Sequence, residues 1–159
     1  MPSPFKDIRK ELSTAISQGE GQAEADGVLA TTRGVTQEFK GGKIFAPGSS
    51  IVLPEAEPLL DRVAQLVTLL GNSNYRVKVE GRADDVPIAT AQFPSNWELS
   101  AQRASAIVRF LISHGGEADR MIAIGMADTQ PKVPHRDDAG NPIVENRDIN
   151  RRIVIKIER

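Results

Sequence analysis

The chain has 159 residues, with 20 basic and 21 acidic side chains and a net charge of -1, a balance that leaves no electrostatic footprint for DNA, RNA or an anionic membrane surface. That length suits one domain with a real core and an arm, and is short for two. There is no cysteine, which excludes a disulfide framework and a thiol site. No run of about 18 apolar residues occurs, and MPSPFKDIRKEL lacks the apolar stretch of a signal peptide, so the chain as it stands reads as soluble.

Residues 5–18 place Phe5, Ile8, Leu12, Ala15 and Ile16 on one stripe, with Lys6, Arg9, Lys10 and Glu11 around it, the pattern of an amphipathic helix. GEGQAEADG, residues 19–27, mixes glycines with small and acidic side chains and reads as a flexible joint. Residues 1–27 are therefore expected to form an arm, and 28–159 the domain. Short strands are expected over 28–32 and 35–39, broken at Arg33-Gly34, with a third piece over 43–45, together a strand or hairpin at a sheet edge. A helix should begin near Pro54, with Glu55 and Glu57 at its positive end. Its buried stripe is read as Leu59, Val63, Leu66 and Leu70, flanked by Leu60 and Val67, and Gly71 ends it.

Residues 75–80 alternate Tyr75, Val77 and Val79 with Arg76, Lys78 and Glu80, a half-buried strand ending at Gly81, so Asp84 and Asp85 lie just past a strand end. Ser95 and Glu98 have capping-box spacing, and the helix they open should run to His114 before Gly115 and Gly116. Its apolar arc holds Trp97, Ala101, Ala104, Ile107, Val108, Phe110 and Leu111, with Trp97 read as core. Ser100 and Arg103 fall inside the same arc. A guanidinium pointing inward keeps its proton and needs an anion, and Asp84 is the nearest candidate. One reading is an internal Arg103-Asp84 ion pair that fixes helix against strand. The other is a shared pocket for a zwitterion, its ammonium on the Asp and its carboxylate on the Arg and the helix N-terminus.

Beyond this helix, 121–126 reads as a buried strand, 127–148 as a long polar loop, and 152–158 as a strand with Ile153, Ile155 and Ile157 on one face and Arg152, Val154 and Lys156 on the other. Strands alternating with helices predict an α/β βαβαβ core, an α+β sandwich with a mixed sheet and helices on one face, plus the N-terminal helical arm. His135, Asp137, Asp138 and Asn141 match neither an EF-hand nor a zinc pattern and read as a solvated turn. Asp84-Asp85 lacks the nucleophile or oxyanion donors that catalysis requires. Arg82, Arg151 and Arg152 read as surface cations, and Arg82, which follows the strand end, is able to rim a site.

The runs VEGRADDVPI, FPSNWELSAQRA, GMADTQP and NRDINRRIVIKI resemble the OmpA-like peptidoglycan-binding domain, in particular the periplasmic part of flagellar stator B subunits of the MotB and PomB kind, over roughly residues 40–158 by eye. The resemblance implies a non-enzymatic domain without metal or cofactor. It implies recognition of the diaminopimelate of peptidoglycan stems by Asp84 and Arg103, with Asn96, Leu99, Ser100, Asn150, Arg151 and Arg82 as further site residues. It also implies a homodimer, and a stator A subunit as partner through a transmembrane helix not contained in this chain. An alternative is a cell-wall binder otherwise tethered and unrelated to torque. Lipoprotein members anchor through a cysteine that this sequence lacks. One departure is plain: the family's Gly-His-Thr-Asp is here Gly81-Arg82-Ala83-Asp84.

Overall fold

Alternating apolar residues build the sheet, and the computed structural model describes it over residues 28–30, 34–71 and 74–158. The strands are β1 (Val28–Ala30), β2 (Gly34–Lys40), β3 (Arg76–Arg82), β4 (Met121–Gly125) and β5 (Arg152–Glu158). They lie in the order β1-β2-β5-β3-β4. β3 and β4 are parallel, while β5 runs antiparallel to both β2 and β3 between them. This is the mixed sheet expected of a βαβαβ core. The helix expected over 5–18 and the joint over 19–27 lie outside the described residues.

Cross-strand pairs Val35 with Ile157, Phe39 with Ile153, Val77 with Ile157 and Val79 with Ile155 put one apolar face together. Two helices cover it, α2 (Glu57–Thr68) and α3 (Asn96–Ser113), after a short α1 (Gly41–Ile44). α2 opens through a 3-10 turn at Pro54–Ala56, as a proline in the first turn allows. Leu60, Ala64 and Val67 are its most deeply buried residues, with Val63 close behind, whereas Leu59 is only partly covered. From α3 come Ala104, Ile107 and Leu111. Each leucine, isoleucine or valine among them contributes about 1.5–3 kcal/mol on full burial. This layer is what fixes the helix angles.

Two glycines let α3 approach the strand ends. A Cβ on Gly81 would fall 2.2 Å from the Ser100 carbonyl oxygen, and one on Gly125 would fall 2.7 Å from the Ala101 nitrogen. Only a residue without a side chain fits either contact. The first half of α3 is thereby pressed over the ends of β3 and β4, next to the turn that carries Asp84.

Several expectations are corrected. The piece over 43–45 is not a strand. β5 begins at Arg152, opposite Lys40, so no partner strand extends further; instead Gly41 N donates to the Arg151 carbonyl at 2.9 Å and the chain turns into α1. β3 continues through Gly81 to Arg82, because β4 still pairs with Gly81 and β5 with both residues. β4 is half-buried rather than buried, since it is an outer strand of the sheet. Trp97 is 54% exposed and is not core. It lies one helical turn before Ala101, the residue against Gly125 at the end of β4, so no strand lies beneath it.

The long stretch after β4 is ordered by side chains that cap backbone groups. Asn150, fully buried, accepts from Lys132 N and Val133 N and donates to the Val133 carbonyl. Asp137 Oδ1 accepts from Ala139 N and Asn141 N, and closes a turn. The segment ends in a helical turn, α4 (Arg147–Asn150), that leads directly into β5.

Candidate functional site

A cavity of about 610 Å³ opens where the end of β3, the start of α3, α1 and α4 meet. Ser95 opens α3 beside it: its hydroxyl accepts from Trp97 N at 3.2 Å and is bonded to the Glu98 carboxylate, the expected capping box. Asn96 follows, donating to the Val86 carbonyl at 3.0 Å and fixing the turn after β3 against the helix. Asn96, Leu99 and Arg103, spaced three and four apart, line the cavity from one face of α3.

Arg103 is 6% exposed. The expected direct pair with Asp84 is not formed. Instead Nε donates to the Ser49 carbonyl at 2.8 Å, Nη2 donates to the Ala46 carbonyl at 3.1 Å, and the guanidinium lies 5.1 Å from the centre of the Phe45 ring. Its acceptors among the described residues are all neutral. Burial, then repulsion from Arg151, push its pKa down to about 10 against the pull of Asp84. It stays charged at neutral pH, and its charge is incompletely answered.

Asp84 is buried and fully oriented. Oδ1 accepts from Val86 N at 2.9 Å, and Oδ2 accepts from Arg151 Nη1 at 2.5 Å. The Arg151 side chain is 41% exposed and also faces Asp148 at 3.6 Å. The cation that occupies Asp84 is thus the partly exposed Arg151, which caps α4 just before β5, since Arg103 is tied to carbonyls. Asp85 points elsewhere, to Arg147 at 2.9 Å, and that hydrogen bond holds its carboxyl below the usual carboxylate range.

Of the sequence-derived residues, Asp84, Asn96, Leu99, Arg103 and Arg151 line the cavity. Ser100, Asn150 and Arg82 do not. Ser100 accepts from Ala127 N at 3.0 Å, and Asn150 holds the 127–148 segment. Arg82 lies on the opposite face of the sheet, ion-paired with Glu80 and bonded to Gln130. Arg82 and Arg152, read as surface cations, each have a side chain only 9% exposed. Sequence reasoning missed the apolar wall of Phe45, Pro47, Leu53, Val86 and Ile88, together with Asp148. The carbonyls that hold Arg103 left no side-chain signal at all.

A mixed sheet with helices on one face carries a charged, apolar-walled cleft at a strand end beside a helix N-terminus. Residues 44–145 match the OmpA family. The chain belongs to that family. It is 38% identical over 153 residues to the uncharacterized protein YtxE of Bacillus subtilis (strain 168), covering 96% of this chain and 59% of that protein. The crystal structure of a MotB-like protein from Desulfovibrio vulgaris superposes with a TM-score of 0.78 at 26% identity, covering 98% of this chain and 92% of that one. The cell wall anchor of the T6SS from Pseudomonas aeruginosa gives 0.73 at 31% identity, covering 95% and 96%. This chain therefore spans about three fifths of YtxE.

Proposed function

We propose that this domain anchors a flagellar stator complex to the cell wall by gripping the free end of diaminopimelate in the peptidoglycan stem. The supporting observation is Arg103, a buried guanidinium on the cavity wall with only neutral acceptors among the described residues, set beside the carboxylate of Asp84. A ligand carboxylate completes Arg103, and a ligand ammonium is drawn to Asp84. Arg151, partly exposed, turns from Asp84 toward the incoming carboxylate and leaves Asp84 to the ammonium. The apolar wall takes the methylene chain between the two charged ends.

In this reading the domain works as a homodimer in the periplasm, joined to a stator A subunit through a transmembrane helix outside this chain. Among the described residues no helix is long and apolar enough to cross a membrane. Isothermal titration with a diaminopimelate-containing stem peptide and with its lysine analogue, which lacks the second carboxylate, tests the recognition. Tight binding of the first and at least tenfold weaker binding of the second is expected; equal affinities would remove the carboxylate from the account. The likeness to the T6SS cell wall anchor favours a second reading, the same grip with a different tether and no part in torque. A deletion strain that swims normally would select it.

A further inference from the structure

Trp97 is the single tryptophan of the chain, and it stands exposed although an indole buried in the core would contribute more than most side chains. It follows Asn96, whose side chain walls the cavity, and lies about 100° further round α3, on the shoulder of the cavity and outside it. Long helical side chains lean toward the helix N-terminus, the end at which Asn96 meets the turn after β3. Ser95, Asn96 and Glu98 surround Trp97 in sequence. Asn96 Nδ2 is engaged by the Val86 and Asp84 carbonyls, while its Oδ1 has no partner among the described residues.

A protein interface is built on an apolar patch of several residues around its anchors. One flat ring bordered by amide and carboxylate suits a different surface, the C–H face and hydroxyl edge of a pyranose. We propose that Trp97 is a glycan subsite, its indole stacked on a sugar of the strand whose stem peptide enters the cavity, with Asn96 Oδ1 accepting from a sugar hydroxyl or N-acetyl N–H. This rests on the reading of the cavity as the stem-peptide site.

The lone indole is its own reporter. The chain is titrated with a disaccharide-stem muropeptide and with the same stem peptide lacking sugar, by calorimetry and by tryptophan fluorescence. Both ligands should bind, the muropeptide about five- to tenfold more tightly, and only the muropeptide should move the fluorescence. Trp97→Ala should erase that increment and leave the stem-peptide affinity unchanged, and Trp97→Tyr should keep part of it. Equal affinities with unmoved fluorescence, or an increment that survives in Trp97→Ala, would overturn the glycan subsite while leaving the stem-peptide site standing. If neither ligand binds the wild-type chain, the cavity reading falls and the subsite falls with it.

Discussion

Arg151 and Arg152 are neighbours in the chain and belong to opposite sides of the sheet. Arg152 joins a ladder on the helix-free face. There Glu80 takes Arg82 and, at 3.0 Å, Lys156; Lys78 meets Glu158 at 3.1 Å; and Glu38 takes Lys132 at 2.6 Å and stands 3.8 Å from Arg152. Arg82 and Arg152 face each other across β3 and β5, and both donate to the Gln130 carbonyl. Burial, then the Arg82 charge, hold the Arg152 pKa down. Arg151 instead opens into the cavity, where Arg103 has carbonyls in place of a carboxylate. Among the described residues the ladder sets carboxylates against its cations, although Arg82 Nε and Arg152 Nε stay buried without a hydrogen-bond partner, whereas in the cavity Arg103 donates only to carbonyls. Similar residues thus do different work, and which work is set by what lies opposite.

The largest effect is expected on the ladder. Glu80→Gln removes the shared carboxylate of two cations in a buried setting, so unfolding free energy should fall by about 3–5 kcal/mol. Urea denaturation measures it, and a loss below about 1 kcal/mol would make the ladder a surface feature. Stem-peptide affinity of the folded protein should not change. The same carboxyl predicts the acid response. Burial by itself raises the Glu80 pKa, but hydrogen bonds from Arg82 and Lys156 outweigh it and hold the value below normal. The folded state then binds this proton less readily than the unfolded one. Its stabilisation is complete above the ordinary glutamate pKa of about 4.3 and is lost as pH falls through the lower folded value. Melting temperature should therefore decline below about pH 4.5 in the wild type and less steeply in Glu80→Gln.

Next come the cavity variants, which should reverse that pattern and damage binding more than folding. Arg103→Ala should weaken the stem peptide at least about 100-fold, close to 2.7 kcal/mol, while stability drops by only about 1–3 kcal/mol for the two released carbonyls. Asp84→Asn should cost about 10–100-fold in affinity. Its fold should survive, because Arg151 is solvated enough to stand alone. Pelleting with sacculi, read beside a thermal melt, separates the two effects; a folded Asp84→Asn protein that still pellets as the wild type does would falsify the zwitterion reading.

The sheet and its helices were legible because their signals are periodic. Alternation in β3 and β5, the capping box at Ser95 and the arc through Ile107 and Leu111 each carry a local rule that the packing then obeys. Asp84 and Arg103 were legible as a pair for another reason: an arginine on an apolar arc contradicts its surroundings. Which anion or dipole resolved the contradiction was not local. Ser49 and Ala46 act through carbonyls, some fifty residues away in sequence, and Arg151 arrives from near the end of the chain, at the cap of α4. Trp97 failed for a geometric reason, since the wheel shows direction and not where the sheet stops. Arg82 failed because the strand runs to residue 82, which turns its side chain to the far face.

That last point yields the smallest and sharpest prediction. In the family pattern Gly-His-Thr-Asp, the positions held here by Arg82 and Ala83 differ, and restoring both together suggests a single gain in affinity. The structure separates them. Ala83 lines the cavity beside Asp84, whereas Arg82 is part of the ladder with Glu80 and Gln130. Ala83 is 7% exposed and its N donates to the Ala127 carbonyl at 2.8 Å, so a threonine there has little room but points its hydroxyl to the ligand side. One added neutral hydrogen bond is worth about 0.5–1.5 kcal/mol, a two- to tenfold change, reduced here by crowding to about threefold. Arg82→His should leave affinity within about twofold and lower the melting temperature, because a shorter, weaker cation replaces the guanidinium at Glu80. Titration of the two single variants against the stem peptide decides it. Tighter binding that comes from Arg82→His, and not from Ala83→Thr, would place residue 82 in the site and undo the division between the two faces.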